Sequence, residues 1–126
     1  MTDVLKYGDQ AVISGLNLLS SPGDDIIAIT ALVATGCQII LFTTGNGNPL
    51  GAAVPTVKIS SNTALYEKKK HWIDFNAGSL LEGTSINKLT RQLMELVLQV
   101  VSGEVQALNE THGYRGISML KDGATL

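Results

Sequence analysis

The stretch from Ile39 to Pro55 constrains this chain more than any other. An apolar run, Ile39-Ile40-Leu41-Phe42, breaks abruptly into Thr43, Thr44 and then Gly45, Asn46, Gly47, Asn48, Pro49 and Gly51. A buried strand has this look where it empties into a loop built mostly of backbone. In open α/β sheets ligands bind beyond the carboxyl ends of the strands. A Gly/Asn/Thr loop at such a place supplies bare N–H groups and tight turns. The same residues also suit a ligand-free turn.

The flanking segments favour an α/β fold. Gly15 to Ser20 reads as a short strand. Ser21-Pro22-Gly23-Asp24 follows as a helix start, with Ser21 as cap, Pro22 at the first helical position and Asp24 completing a capping box. The helix then carries Ile26, Ile27, Ile29, Leu32 and Val33, and Gly36 ends it. Gln38 to Phe42 is a second strand, apolar throughout as doubly covered parallel strands are. Strand, helix and strand in this order predict a right-handed crossover within one sheet. Val54 to Ser60 alternates and reads as a third strand, with Pro55 at its start. Asn62 to Lys69 is a short helix capped by Ser61 or Asn62. Ser85 caps a long C-terminal helix expected to reach about Glu110, with Gly103 a weak point or kink. Ile117 to Leu120 is a candidate last strand, and Met1 to Val12 a polar lead-in.

At 126 residues the chain fits a single domain. A net charge of −2 supplies no basic footprint for nucleic acid. Lys68-Lys69-Lys70 reads as a solvated helix end. Cys37 is the sole cysteine, which excludes an internal disulfide and a thiolate zinc site. No apolar run approaches the ~20 residues of a membrane span, and Met1 to Asp9 lacks signal-peptide character. A cytoplasmic, soluble chain with no membrane partner is expected.

Three groups of residues can carry chemistry. Asp24 and Asp25 open a helix directly after a strand. Carboxylates are welcome there for electrostatic reasons alone, yet only one is needed as a cap, so the other can face a ligand or metal. His71, Asp74, Asn76 and Glu82 form a second group, in and just after the non-periodic segment His71 to Gly78. Oxygen ligands with an imidazole suit magnesium, manganese or iron; a hydrogen-bonded turn with Trp72 and Phe75 packed inward accounts for most of them equally well. His112, Tyr114 and Arg115 read as a surface cluster at a helix end. No nucleophile elbow, Walker lysine or dinucleotide fingerprint is present, so a nucleotide-binding domain has only fold analogy behind it.

Taken together, S-P-G-D-D at 21–25, G-C-Q at 36–38, F-T-T-G-N-G-N-P at 42–49, V-P-T-V-K-I-S-S-N-T at 54–63, H-W-I-D-F-N-A-G at 71–78 and the ending Y-R-G-I-S-M-L-K-D-G-A-T-L resemble one family. That family is the altronate/galactarate dehydratases, and the resemblance covers Gly15 to Leu126. H-W-I-D-F-N-A-G is closest to the altronate branch. The resemblance implies the C-terminal domain of a longer sugar-acid hydro-lyase, built on a Rossmann-like, three-layer, mostly parallel sheet flanked by helices. It implies loss of water from D-altronate to give 2-dehydro-3-deoxy-D-gluconate, assisted by a divalent metal, ferrous iron or else manganese. By motif position, Thr43, Thr44, Gly45, Asn46, Gly47, Asn48 and Asn76 would contact the sugar acid, and His71 and Asp74 would serve catalysis. Asp24, Asp25 and Glu82 are the candidate metal ligands. The remaining domains and a second copy of the chain are the implied protein partners. Two departures stand out: Asn46 replaces a common arginine that would clamp a carboxylate, and Lys70 stands where a proline commonly precedes His-Trp. A free-standing sugar-acid-binding or regulatory module is the alternative. The isolated chain is expected to show no turnover, and its long helix to leave an apolar face uncovered.

Overall fold

A computed structural model describes residues 1–119. Two parallel sheets with flanking helices make an α/β architecture. The first sheet pairs β1 (Asp3–Leu5) with β2 (Asn17–Leu19). The second has the order β3 (Ile40–Thr44), β4 (Thr56–Ser60), β5 (Phe75–Asn76), all parallel. The lead-in is therefore structured. Its Asp-Val-Leu satisfies the backbone of β2, extended by Thr2 N–H to Leu16 O at 2.7 Å and Ser20 N–H to Leu5 O at 2.9 Å.

That pairing corrects the expected crossover. β2 finds its partner in β1, so β2 and β3 stand in different sheets among the described residues. The helix-containing crossover lies further along, as β4, α2 (Thr63–Lys68) and β5. β5 itself hides in the non-periodic His71–Gly78 segment, because two residues are too few to show a period.

The helix between β2 and β3, α1 (Asp25–Thr35), also starts later than expected. Asp24, not Ser21, is the cap, its Oδ1 accepting from Ile26 N–H at 3.1 Å and Ile27 N–H at 3.3 Å. A carboxylate there gains from the helix dipole as well as the hydrogen bonds. Ser21 is left exposed outside the helix. Gly36 closes α1 as expected, with its N–H on Val33 O and that of Cys37 on Leu32 O. Asn62 caps α2 through Leu65 N–H at 2.8 Å.

The long helix, α3 (Ile86–Ser102), is capped by Ser85 as expected and stops well short of Glu110. Gly103 takes φ 78°, and Glu104 N–H closes on Gln99 O at 2.9 Å. A glycine at that left-handed position ends the helix outright instead of kinking it. A separate turn, α4 (Leu108–Thr111), follows. Ile117 to Met119 form no strand, and Leu120 lies outside the described residues.

Strand alternation divides the core. Val57 and Ile59 point to one face and pack with Phe75, Leu93, Leu96 and Val100, so α3 covers β4 and β5 there. Ile40 and Phe42 point to the other face and pack with Ile29, Leu32 and Ala52 beneath α1. At about 100° per residue, Leu89, Leu93, Leu96 and Val100 form the covered stripe of α3. Ile86, Met94, Leu98 and Val101 form a neighbouring stripe that stays 57–66% exposed, the uncovered apolar face expected from the sequence.

Candidate functional site at the carboxyl edge of the sheet

Register lines up the ends of the second sheet. Thr44 pairs with Ser60, and Ser60 with Asn76, so three polar residues stand side by side where the strands stop. The glycine loop leaves from Thr44. Thr44 Oγ1 accepts the Gly47 N–H at 2.9 Å. The next four carbonyls are all taken by side-chain donors: Asn62 Nδ2 reaches Gly45 O (3.2 Å), Lys69 Nζ reaches Asn46 O (2.8 Å) and Gly47 O (3.0 Å), and Lys58 Nζ reaches Asn48 O (2.9 Å). Among the described residues, the N–H groups of Gly45, Asn46 and Asn48 have no acceptor. The loop therefore keeps backbone donors to offer a ligand, a set suited to negative charge.

The loop then runs into a cavity of about 650 Å³ between the start of α1, residues Asn48 to Gly51, and residues Gly113 to Gly116. Asp24, Asp25, Asn48, Tyr114 and Arg115 line it. Asn48 Nδ2 donates to Asp25 Oδ2 at 3.0 Å, tying loop to helix. The opposite wall is held by close approach. Gly116 N–H bonds to Gly51 O at 2.6 Å, and a Cβ on Gly51 would fall 2.1 Å from Tyr114 O. Asn109, 1% exposed, accepts Thr56 N–H at 2.9 Å and so anchors α4 to the start of β4.

Beneath the cavity lies the residue least expected from the sequence. Lys58 is 0% exposed in the middle of β4, its ammonium on Asn48 O and 5.6 Å from the centre of the Tyr114 ring. Burial pushes its pKa below the ordinary lysine value, opposed by the charge of Asp74. Asp74 works on backbone: Oδ2 accepts Lys58 N–H at 2.7 Å and Oδ1 accepts Leu108 N–H at 2.8 Å. Burial raises the Asp74 carboxyl above the usual carboxylate value, against the pull of those two donors and of the Lys58 ammonium.

The sequence-derived candidates thus separate into clusters. Thr44, Gly45, Asn46 and Gly47 meet Asn62 and Lys69, and the Lys69 ammonium also sits 4.8 Å over Trp72. Thr43 is exposed at the loop entrance. Asn48 joins Asp25 at the cavity. Asn76 is bound internally, its Oδ1 accepting Gly78 N–H at 3.0 Å and its Nδ2 donating to Thr63 Oγ1 at 3.1 Å. His71 is exposed beside Trp72, ring centres 5.0 Å apart, and does not line the cavity. Glu82 is exposed at the end of a 3-10 turn (Gly78–Glu82). Among the described residues no three His, Cys, Asp or Glu side chains converge to hold a metal ion, so these residues do not supply a complete coordination set.

Lys58 is an addition with no place among the sequence candidates, while Lys69, Tyr114 and Arg115 take positions that their sequence readings did not give them. Alternation in V-P-T-V-K-I-S does carry a signal for Lys58, since it puts Thr56, Lys58 and Ser60 on one face. Lys69 is no solvated helix end; His112 and Arg115 are exposed as expected, while Tyr114 is half-buried and lines the cavity with Arg115. Among the described residues no helix is long and apolar enough to cross a membrane.

The whole sequence is similar to known proteins. The profile of the family described as D-galactarate/altronate dehydratase, C-terminal, matches residues 1–125. An altronate dehydratase of Bacillus subtilis (strain 168) is 49% identical over 127 aligned residues, covering 100% of this chain and 25% of the relative. An altronate dehydratase of Escherichia coli (strain K12) is 44% identical, with the same shares. A galactarate dehydratase (L-threo-forming) of that strain is 31% identical over 90% of the chain and 22% of the relative. The chain therefore spans about a quarter of the length of these enzymes. It belongs to the D-galactarate/altronate dehydratase family and corresponds to the C-terminal part of its members.

Proposed function

We propose that this chain serves as the C-terminal domain of an altronate dehydratase, a hydro-lyase that converts D-altronate to 2-dehydro-3-deoxy-D-gluconate with loss of water. The observation that carries the reading is whole-chain identity of 49% and 44% to two altronate dehydratases, against 31% to a galactarate dehydratase. The chemistry asks for a base at the proton α to the carboxylate, stabilisation of the resulting enediolate, and an acid for the departing β-hydroxyl. The loop from Thr43 to Asn48 contacts the sugar acid with its free N–H donors, aided by Asn76 across the strand ends. His71 is the acid/base residue of this chain, and Asp74 supports the pocket by holding β4 and α4 in register. The ferrous or manganous ion of the reaction takes its ligands chiefly from the remaining domains, with Asp24, Asp25 and Glu82 as the contributors available here. The three-stranded sheet forms part of a Rossmann-like three-layer sheet in an oligomeric, cytoplasmic enzyme.

A second reading is a non-catalytic sugar-acid-binding module, supported by Asn46 in place of the family's arginine. One experiment separates the two. The chain replaces the matching quarter of the Bacillus subtilis relative, and keto-acid formation from D-altronate is followed anaerobically with ferrous ion. Turnover by the chimera, with none by the chain alone, supports the dehydratase reading. Robust turnover by the isolated chain overturns the view that it needs other domains. A folded chimera that binds D-altronate without turning it over supports the module instead.

A further inference from the structure

The three consecutive lysines at the end of α2 differ in what they touch. Lys70 is exposed and pairs with Glu67 at 2.6 Å. Lys68 is exposed on the last turn of the helix. Lys69 turns inward: its Nζ donates to Asn46 O at 2.8 Å and Gly47 O at 3.0 Å, and lies 4.8 Å from the centre of the Trp72 ring. No carboxylate pairs with it among the described residues, so its charge stays beside the glycine loop. The side chain is close along its stem as well. Gly47 has φ 69°, and a Cβ there would fall 3.0 Å from Leu65 Cδ1 and 3.2 Å from Lys69 Cδ.

The peptide groups of this loop are all held in one sense. Thr44 O accepts Ser61 N–H at 3.0 Å, Gly45 O accepts Asn62 Nδ2, and Asn46 O and Gly47 O accept the Lys69 ammonium. Each carbonyl is thus fastened from the β4–α2 side. No peptide among the described residues is cis, and a trans peptide carries its N–H on the edge opposite its C=O. Tying the carbonyls of Thr44, Gly45 and Gly47 therefore turns the N–H groups of Gly45, Asn46 and Asn48 away from α2. Those are the N–H groups that have no acceptor, whereas Gly47 N–H is taken by Thr44 Oγ1. Lys69 is the donor that brings a charge to this arrangement. A cation on the carbonyl edge polarises the peptide and favours negative charge at the opposite edge. We propose that Lys69 is a positioning residue of the loop: seated on Trp72, its ammonium sets the Asn46–Gly47 and Gly47–Asn48 peptides so that the loop presents N–H donors to a ligand's negative charge. The inference rests on the reading of this loop as the contact for the sugar acid and deepens it. Trp72 acquires a part too, as the platform that keeps the ammonium on the carbonyls.

The test is a titration of the 126-residue chain with inorganic phosphate, followed by backbone amide NMR shifts. Phosphate is expected to shift the amides of Gly45, Asn46 and Asn48 in the parent. Lys69→Gln removes the charge and is expected to bind phosphate about tenfold more weakly. Lys69→Arg, which keeps a charge and paired donors, is expected to stay within about threefold of the parent. Lys68→Gln removes the same charge one residue earlier and is expected to bind as the parent does. In the chimera, Lys69→Gln is expected to raise KM for D-altronate with kcat held, the mark of lost binding. The proposal is overturned if phosphate does not bind or shifts amides elsewhere, or if Lys69→Gln binds it as well as the parent. It is also overturned if Lys68→Gln weakens binding equally, if Lys69→Arg is as weak as Lys69→Gln, or if Lys69→Gln lowers kcat at unchanged KM. The dehydratase reading fails separately, on a chimera that keeps Lys69 and does not turn over; the phosphate titrations then still decide the role of Lys69.

Discussion

Replacing Asp74 by asparagine separates a residue that holds the fold from one that acts on a ligand. Each oxygen of the carboxylate accepts one backbone N–H, from Lys58 at 2.7 Å and from Leu108 at 2.8 Å. Asparagine keeps one acceptor and turns an NH2 toward the other donor. One charge-assisted bond, worth about 1.5–3 kcal/mol, is lost, and a backbone donor is left facing another donor at about 1–3 kcal/mol. Asp74 is only half-buried, so water relieves part of this and the lower range applies. We expect a loss of about 2.5 kcal/mol, or roughly 10 °C in Tm at about 4 °C per kcal/mol for a domain of this size. The assay is urea denaturation of both chains under the same buffer, with Tm as a second readout. A loss below about 1 kcal/mol together with abolished D-altronate binding would refute the reasoning, because the carboxylate would then be acting on the ligand and not on β4 and α4.

Two further outcomes follow from the same geometry. Lys58→Met removes a buried ammonium whose pKa is lowered by burial. In that range the unfolded chain binds the proton more tightly than the folded one, so the parent gains stability as pH rises from the lowered folded pKa toward about 10.4. The stability of Lys58→Met relative to the parent should therefore decline between pH 7 and 10.5 in denaturant titrations, and a pH-independent difference would count against a buried charge. Asp24→Ala should cost about 1 kcal/mol as a lost cap, while Ser21→Ala should change stability by less than about 0.5 kcal/mol. Equal effects of the two would restore Ser21 as the cap.

Legibility followed the range of the forces involved. Strands β3 and β4, helix α1, its Gly36 end and the Ser85 cap were readable because each depends on local period or local hydrogen bonding. The first helix start was misread because S-P-G-D-D holds two plausible caps, and dipole plus double acceptance favours the carboxylate. β1 was missed because its pairing with β2 is a long-range choice that three residues cannot announce. The reach of α3 was overestimated because apolar spacing continues through Val105 and Leu108, while Gly103 terminates the helix by its φ. At the site, Thr44 to Asn48 could be placed from the sequence, but their partners could not. Asn109 and Arg115 arrive from far along the chain, and alternation sets Lys58 on one face with Thr56 and Ser60 without marking that face as buried.

The division of the core by β4 has a mechanical meaning. The two apolar clusters share no residue, and between them, on the α1 side of β4, run Thr56, Lys58 and Ser60, all fully buried. The two clusters therefore lie on opposite faces of one sheet, and the five-residue ladder between β3 and β4 holds them together. Separating them would break that ladder and take Ile39 away from the cluster of Val57 and Ile59. The loop from Thr44 to Asn48 spans the ends of both strands, fastened on one side by Asp25 and on the other by Asn62, Lys69 and Lys58. A shift of α1 against α2 would be felt first at the loop, with the ladder and both clusters left intact.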